Sequence, residues 1–300
     1  MSIQYIDRET KSVREEKIYG HRALSLLYGD SWISRLFSLL LLPFLSRVAF
    51  FSKFYGFLQK QPCSAKKIAP FVSAYGVDTS EFETQSFASF NDFFIRKLKK
   101  EKRPIVPDPA QAVMPADGRY LVFPNLALIQ NFYVKGKSFD LSSFLQNDPY
   151  ARRFADGSMV VARLCPTDYH RFHFIADGIP AKANPICGHF HSVNPMALKK
   201  DLSIFWNNKR VVTDFDTEMF GKVLYVEVGA ICVGTIHQTY AAGQKVRKGD
   251  EKGYFSFGGS CIVILFEKGT ILFDDDLIAN SQKGFETKAN FGQSLGKRKF

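Results

Sequence analysis

The pattern of apolar and polar positions changes twice along the chain. From Ala23 to Leu58 apolar residues dominate, in "ALSLLYGDSWISRLFSLLLLPFLSRVAFFSKFYGFL". Only eleven residues separate Arg35 from Arg47, and Pro43 is among them. A spanning helix needs about 20 apolar residues, so this stretch does not read as a membrane span. It predicts two short helices broken near Pro43, because proline lacks the N–H and its ring crowds the preceding turn. Trp32, Phe37, Phe44, Phe50, Phe51 and Phe54 are interleaved with Arg35, Arg47 and Lys53. The mixture suits helices lying in the plane of a membrane interface, and it also suits a helical hairpin packed on its own core.

The next stretch, "SFNDFFIRKLKKEKRPIVPDP", carries Arg96, Lys97, Lys99, Lys100, Lys102 and Arg103 against the single Glu101. It reads as a solvated basic helix face, which would also be drawn to anionic headgroups. Prolines 104, 107 and 109 end the helical region and mark a boundary. From about Val113 the pattern is of short β-type runs with glycine-containing turns between them: "RYLVFP", "SMVVARL", "HRFHFIA", "VLYVEVGAICVGTI" and "SCIVILF". The stretch from "VGAICVGTI" to "GYFSFGGS" looks like half of a barrel-sandwich hybrid, with "KGD" and "GGS" as turns. The expected fold is therefore α+β. Residues 1–110 form a helical, membrane-associating and basic region, and residues 111–300 form a mainly β sandwich or barrel-sandwich-hybrid-like catalytic domain.

Composition narrows the partners. With 40 Lys plus Arg against 29 Asp plus Glu, the 300-residue chain carries a net charge of +11. That surplus favours an anionic partner, either nucleic acid or an acidic membrane face. The 30 phenylalanines would suit RNA stacking, but the RNP-type signature is absent, and nucleic acid is not the expected partner. Cys63, Cys165, Cys187, Cys232 and Cys261 are odd in number, widely spaced and without a CxxC pair. They argue against a disulfide framework or a zinc site, and for a reducing compartment. The mixed-sign "MSIQYIDRETKSVREEK" is a poor secretory leader.

Three places hold candidate chemistry. Asp117 lies in "MPADGRY", where Asp-Gly is also an ordinary turn. "CPTDYHRFHF" holds Asp168, Tyr169, His170 and His173. In a strand the two histidines would face opposite ways, whereas a turn leading into a strand lets both reach one cleft. Asp168 and Tyr169 either act directly or form the turn that positions the histidines. In "FSFGGSCIVILF" two glycines and Ser260 precede an unbroken apolar strand. Asp117, His173 and Ser260 suggest a triad, yet a hydrolase nucleophile elbow leads into a helix, and Ser260 leads into a strand. His189 and His191, spaced i, i+2 in "GHFHSVNP", could share a strand face, and no metal site is assigned to them.

Taken in order, "FFIRKLKKEKRPI", "PADG", "VKGKSF", "DYHRFHF", "SVNP", "VGAICVGTI" and "KGDEKGYFSFGGS" resemble the phosphatidylserine decarboxylase family. The resemblance runs from about Ser25 to Phe266 and keeps the Gly259-Ser260 junction, with Cys261 where the family commonly has Ser or Thr. It implies a proenzyme that cuts itself between Gly259 and Ser260 and turns Ser260 into a covalent pyruvoyl cofactor. In that resemblance His173 is the base of the cut and Asp117 its orienter. The ketone would take up the amine of phosphatidylserine as a Schiff base, carbon dioxide would leave, His170 would supply the proton, and phosphatidylethanolamine would be released. The implied partners are phosphatidylserine in an anionic membrane and the chain's own two fragments, 1–259 and 260–300, with room for a further homo-oligomer. The implied place is the cytoplasmic face of a cell membrane, held peripherally. A serine hydrolase that does not cut itself and a noncatalytic lipid-binding β module stay open as alternatives.

Overall fold

The computed structural model describes residues 3–29, 31–47, 49–131, 140–198, 201, 203–230, 235–257 and 260–299. The "VKGKSF" stretch from 134 to 139, Cys232, Gly258 and Gly259 lie outside these residues.

The apolar run after Ser260 does what an unbroken hydrophobic strand must do, which is to bury both faces. Ser260–Phe266 is buried at every position. It pairs antiparallel with Ser158–Leu164 on one side and Gly221–Gly229 on the other. Gly118–Phe123 continues the sheet beyond the first neighbour, and Arg210–Thr217 beyond the second. Among the described residues this sheet has ten strands, and two three-stranded sheets stand beside it. One of the small sheets joins Ile236–Gln238, Glu251–Phe255 and Arg171–His173; the other joins Ile271–Phe273, Ser294–Arg298 and Gln111–Val113. The fold is α+β and dominated by sheets, with several helices concentrated before residue 110.

One edge of the large sheet comes from the N-terminus. Gln4–Asp7 pairs parallel with Glu286–Ala289 and antiparallel with Val13–Glu15. The first residues of the chain are thus strands tied to its last fifteen, ahead of any helix.

Two expectations for the N-terminal part are corrected. The helical backbone runs through Pro43, as Trp32–Arg47, and resumes as Ala49–Lys60. A proline removes one i→i−4 hydrogen bond and bends a helix without obliging it to stop. Among the described residues no helix is long and apolar enough to cross a membrane. The basic stretch is not one α-helix and is only partly solvated: Lys97, Lys100 and Lys102 are exposed, the last two in a short 3-10 turn, but Arg96 is not. The helix there is only Phe90–Phe94, and Arg96 is buried over the rings of Phe82 and Phe93, at 4.8 and 5.0 Å. The cause is a second core in which Phe71, Phe82, Phe90, Phe93, Phe94 and Phe257 pack with mostly edge-on geometry. Phe71 meets Phe90 at 5.4 Å and 78°, and Phe90 meets Phe257 at 5.2 Å and 61°. Such pairs favour tilted rings because the ring edge is positive and the face negative. The cluster seats the helical layer against the segment that leads to Ser260.

Candidate active site

The histidine motif is a turn leading into a strand. Asp168, Tyr169 and His170 precede the Arg171–His173 strand. The turn is pinned by charge on both sides. Asp168 accepts from Arg119 Nη1 at 2.7 Å and from the backbone N–H of Cys165 at 2.7 Å. Arg96 Nη2 donates to the carbonyls of Thr167 and Asp168, at 3.0 and 3.1 Å. Burial pushes the Asp168 carboxyl up, and the Arg119 guanidinium pulls it back.

His170 is fully buried, its ring 3.8 Å from that of Phe94. Its Nδ1 lies 2.9 Å from the Asp168 carbonyl, an oxygen that only accepts, so Nδ1 carries the hydrogen. The same logic applies to His173. Its Nδ1 donates to the Gly249 carbonyl at 3.0 Å, and its Nε2 accepts from the Tyr169 hydroxyl at 3.3 Å. The His173 ring lies flat on Phe291, with centroids 3.7 Å apart and planes at 13°. Burial pushes its pKa down to about 4. The Gly249 carbonyl and the charges of Glu251 and Asp117 work in the opposite direction, and burial outweighs them.

Asp117 is buried beside this pair, and Arg103 holds it. Arg103 Nε donates to Oδ1 at 2.9 Å and Nη2 to Oδ2 at 2.6 Å, while Glu81 takes the other side of the guanidinium. The Phe291 N–H donates to Asp117 Oδ1 at 2.8 Å. Among the described residues no hydrogen bond joins Asp117 to His173. The carboxylate acts on the imidazole through space and through Phe291.

Ser260 heads the central strand, opposite Leu164 on one neighbour and Gly229 on the other. It is fully buried, and its Oγ has no hydrogen-bond partner among the described residues. An orphaned hydroxyl in a protein interior is costly, and a catalytic role is one reason for a native structure to keep one. Leu164, Ala230 and Phe257 also line a cavity of about 570 Å³. Its other walls include Leu24, Leu27 and Tyr55 from the helical layer and Asn194 from the "SVNP" stretch. This mostly apolar space reaches from the helices to the strand ends that flank Ser260. The Phe255 N–H donates to the His170 carbonyl at 3.0 Å, so the segment approaching Ser260 is laced to the histidine turn.

Several participants were not legible in the sequence. Glu16 is buried between Arg119 and Arg163, at 3.0 and 2.6 Å, and Arg163 also holds Glu286 at 2.5 Å. This ladder of alternating charges runs from the cavity wall to Asp168. Arg103 sits in a basic run that predicts a solvated face, and no local pattern marks Phe291. The rings of His189 and His191 are 5.6 Å apart. No group of three or more His, Cys, Asp or Glu able to hold a metal occurs among the described residues.

Comparison with known proteins places the chain in a family. The sequence model of the family described as "Phosphatidylserine decarboxylase" matches residues 90–297, the span that contains Asp117, His170, His173 and Ser260. The chain is 46% identical over 296 residues to the phosphatidylserine decarboxylase proenzyme of Chlamydia pneumoniae, covering 98% of this chain and 97% of that one. It is 44% identical over 299 residues to the proenzyme of the same name from Clostridium botulinum (strain 657 / Type Ba4), covering 99% and 100%.

Proposed function

The chain belongs to the phosphatidylserine decarboxylase family, and from that premise we propose that it cuts itself before Ser260 and then decarboxylates phosphatidylserine to phosphatidylethanolamine. The observation that carries this reading is the buried Ser260 hydroxyl, which has no partner among the described residues and stands at the head of the central strand beside the cavity.

In the first reaction Ser260 Oγ attacks the carbonyl carbon of Gly259. The new C–O bond forms as the C–N bond breaks, which turns the amide into an ester. His173 takes the hydroxyl proton and returns it to the released amine. Burial suits that role, because a pKa near 4 keeps the imidazole neutral at physiological pH. Asp117 places a negative charge near the ring as it becomes cationic. β-Elimination then breaks the Cα–H and Cβ–O bonds of residue 260, the proton passing to the again neutral His173, and releases residue 259 as a carboxylate. Residue 260 becomes dehydroalanine, and water replaces its nitrogen as ammonia to leave a ketone.

The site fits such a group: residue 260 is buried, and its side-chain oxygen has no competing donor among the described residues. Its strand partner Leu164, and Ala230 next to its other partner Gly229, line the mostly apolar cavity. A pyruvoyl ketone at residue 260 supplies the electron sink that a carbanion needs when carbon dioxide departs. His170 delivers a proton to the substrate carbon. With Nδ1–H committed to the Asp168 carbonyl, Nε2 is the nitrogen that hands it over. Asn194 and Leu164 form wall rather than chemistry.

The lipid arrives from a membrane surface. Trp32, Leu36, Leu39 and Leu40 are exposed on one helix, and Phe54, Phe57 and Leu58 on the next. Apolar side chains presented by helices of a basic chain suit peripheral attachment to an anionic bilayer, at the cytoplasmic face of the cell membrane. In this reading residues 1–110 dock and also brace the site through Arg96 and Arg103, and residues 111–300 carry the reacting side chains.

Intact-mass analysis of the purified protein with phosphatidylserine vesicles tests the proposal. Two fragments, 1–259 and 260–300, are expected, with the smaller blocked to N-terminal sequencing and labelled by borohydride. Ser260→Ala and His173→Ala stay single chains; His170→Ala cuts but forms no phosphatidylethanolamine. A wild-type chain that stays whole under every membrane-mimetic condition overturns it.

A further inference from the structure

The base of a relay is usually steered by a carboxylate on its far nitrogen. Here that nitrogen of His173 faces the Gly249 carbonyl instead, and both oxygens of Asp117 are taken by Arg103 and the Phe291 N–H. What lies against the imidazole is the Phe291 ring, nearly parallel at 3.7 Å. We propose that Phe291, fixed by Asp117 and through it by Arg103, is the positioning residue for the His173 imidazole. After the cut, a residue of the small fragment would thus orient the base of the large one.

The turn that carries Phe291 is built to hold still. The Gly292 N–H donates to the Met114 carbonyl at 3.2 Å, and the Gly292 carbonyl accepts from the Val106 N–H at 3.1 Å. Gly292 has φ +87°, and a Cβ there would stand 2.5 Å from the Pro104 carbonyl oxygen, so glycine is required. Pro104 directly follows Arg103. One short segment therefore clamps both Asp117, through the guanidinium, and the turn, through its backbone. Asp117 bridges the two and ties the Phe291 backbone in place beside His173. A flat ring at this distance shields one face of the imidazole from water, restricts its rotation and favours the neutral form. The charged or titratable groups around His173 are Glu251 and Asp117, which favour its protonation, Arg171, which opposes it, and Tyr169, whose hydroxyl meets Nε2.

The inference rests on His173 being the base of self-cleavage, so its test has one arm that does not depend on cutting. In full-length Ser260→Ala protein, which stays whole, the His173 imidazole is titrated by NMR and assigned by comparison with Ser260→Ala/His173→Gln. Phe291→Leu is expected to raise its pKa by about one unit or more. Arg103→Gln is expected to move it the same way by less, and Phe291→Tyr to leave it in place. In the cutting-competent chain, Phe291→Leu moves the acid limb of the self-cleavage rate upward by the same interval, about tenfold in rate per unit on that limb. Should Phe291→Leu fail to fold, Phe291→Met and Arg103→Gln serve the same comparison. A folded Phe291→Leu protein with unchanged titration, or with cutting slowed equally at every pH, overturns the inference. A His173→Ala chain that still cuts would overturn the base assignment instead, and the Ser260→Ala titration would still decide whether Phe291 holds the ring.

Discussion

The His173 imidazole has its pKa pushed down to about 4 from the ordinary 6.5, with burial as the leading cause. This has a consequence for stability. Between pH 6.5 and 4 the unfolded chain binds a proton that the folded chain excludes, so folding stability falls as pH falls through that window. Below pH 4 the penalty levels off at about 3 kcal/mol. Urea midpoints of Ser260→Ala protein should therefore decline from pH 6.5 to 4.5, and Ser260→Ala/His173→Gln should decline less steeply; equal slopes would exclude His173 as the cause. The sequence made the candidate side chains visible here, because "DYHRFH" and "GGS" are sparse combinations in an ordered set. It did not show what fixes them. Arg103 sits in a run of six basic residues that reads as solvated, because charged side chains are seldom buried without partners. Its partners Glu81 and Asp117 lie 22 and 14 positions away, and no local pattern connects them.

Among the elements, the strands were more legible than the helices. "SCIVILF" is apolar at nearly every position, and a strand buried on both faces accepts nothing else. Gln4–Asp7 and Val13–Glu15 are short and partly exposed, and their partner Glu286–Ala289 lies at the other end of the chain. Only the tertiary fold reveals them as strands. The helix ends show the same dependence on distant residues. Arg210 is fully buried, and its guanidinium donates to the carbonyls of Ser143, Phe144, Trp206 and Asn208, at 2.8, 2.6, 2.7 and 2.9 Å. These oxygens belong to the Leu141–Leu145 helix and to the end of Ile204–Asn207, where helix carbonyls lack partners of their own. Burial alone lowers the Arg210 pKa, to about 10, so the group stays charged at neutral pH. Arg210→Met keeps much of the side-chain length and leaves the carbonyls unsatisfied. A loss of about 3 kcal/mol is expected in urea denaturation, and a loss below about 1 kcal/mol would show that water reaches these carbonyls instead.

At the scale of the whole molecule, the two fragments of the proposed cut share the ten-stranded sheet and the sheet of Ile271–Phe273, Ser294–Arg298 and Gln111–Val113, while the sheet that carries His173 belongs wholly to the large fragment. Ser260–Phe266 lies between two strands of the large fragment, Glu286–Ala289 between Gln4–Asp7 and Gly118–Phe123, and Ser294–Arg298 beside Gln111–Val113. Cutting before Ser260 removes one covalent link and none of these pairings, so both fragments should elute together in gel filtration and separate only on denaturation. In the proposed reading, charge governs how the assembled protein meets its substrate at a bilayer. The chain carries +11 and exposes Trp32, Leu39 and Phe57 from its helices. Phosphatidylserine is anionic and phosphatidylethanolamine has no net charge, so attraction to the bilayer favours substrate over product. That attraction is screened over about 10 Å at 0.1 M salt and about 3 Å at 1 M, whereas insertion of apolar side chains is not weakened by salt. On vesicles of mixed composition the apparent KM for phosphatidylserine should therefore rise with ionic strength while kcat stays level, and the rise should steepen as the anionic lipid fraction grows. A KM that is flat from low to high salt would mean that the apolar helices alone hold the enzyme to the surface, and that the basic surplus has no part in choosing the lipid.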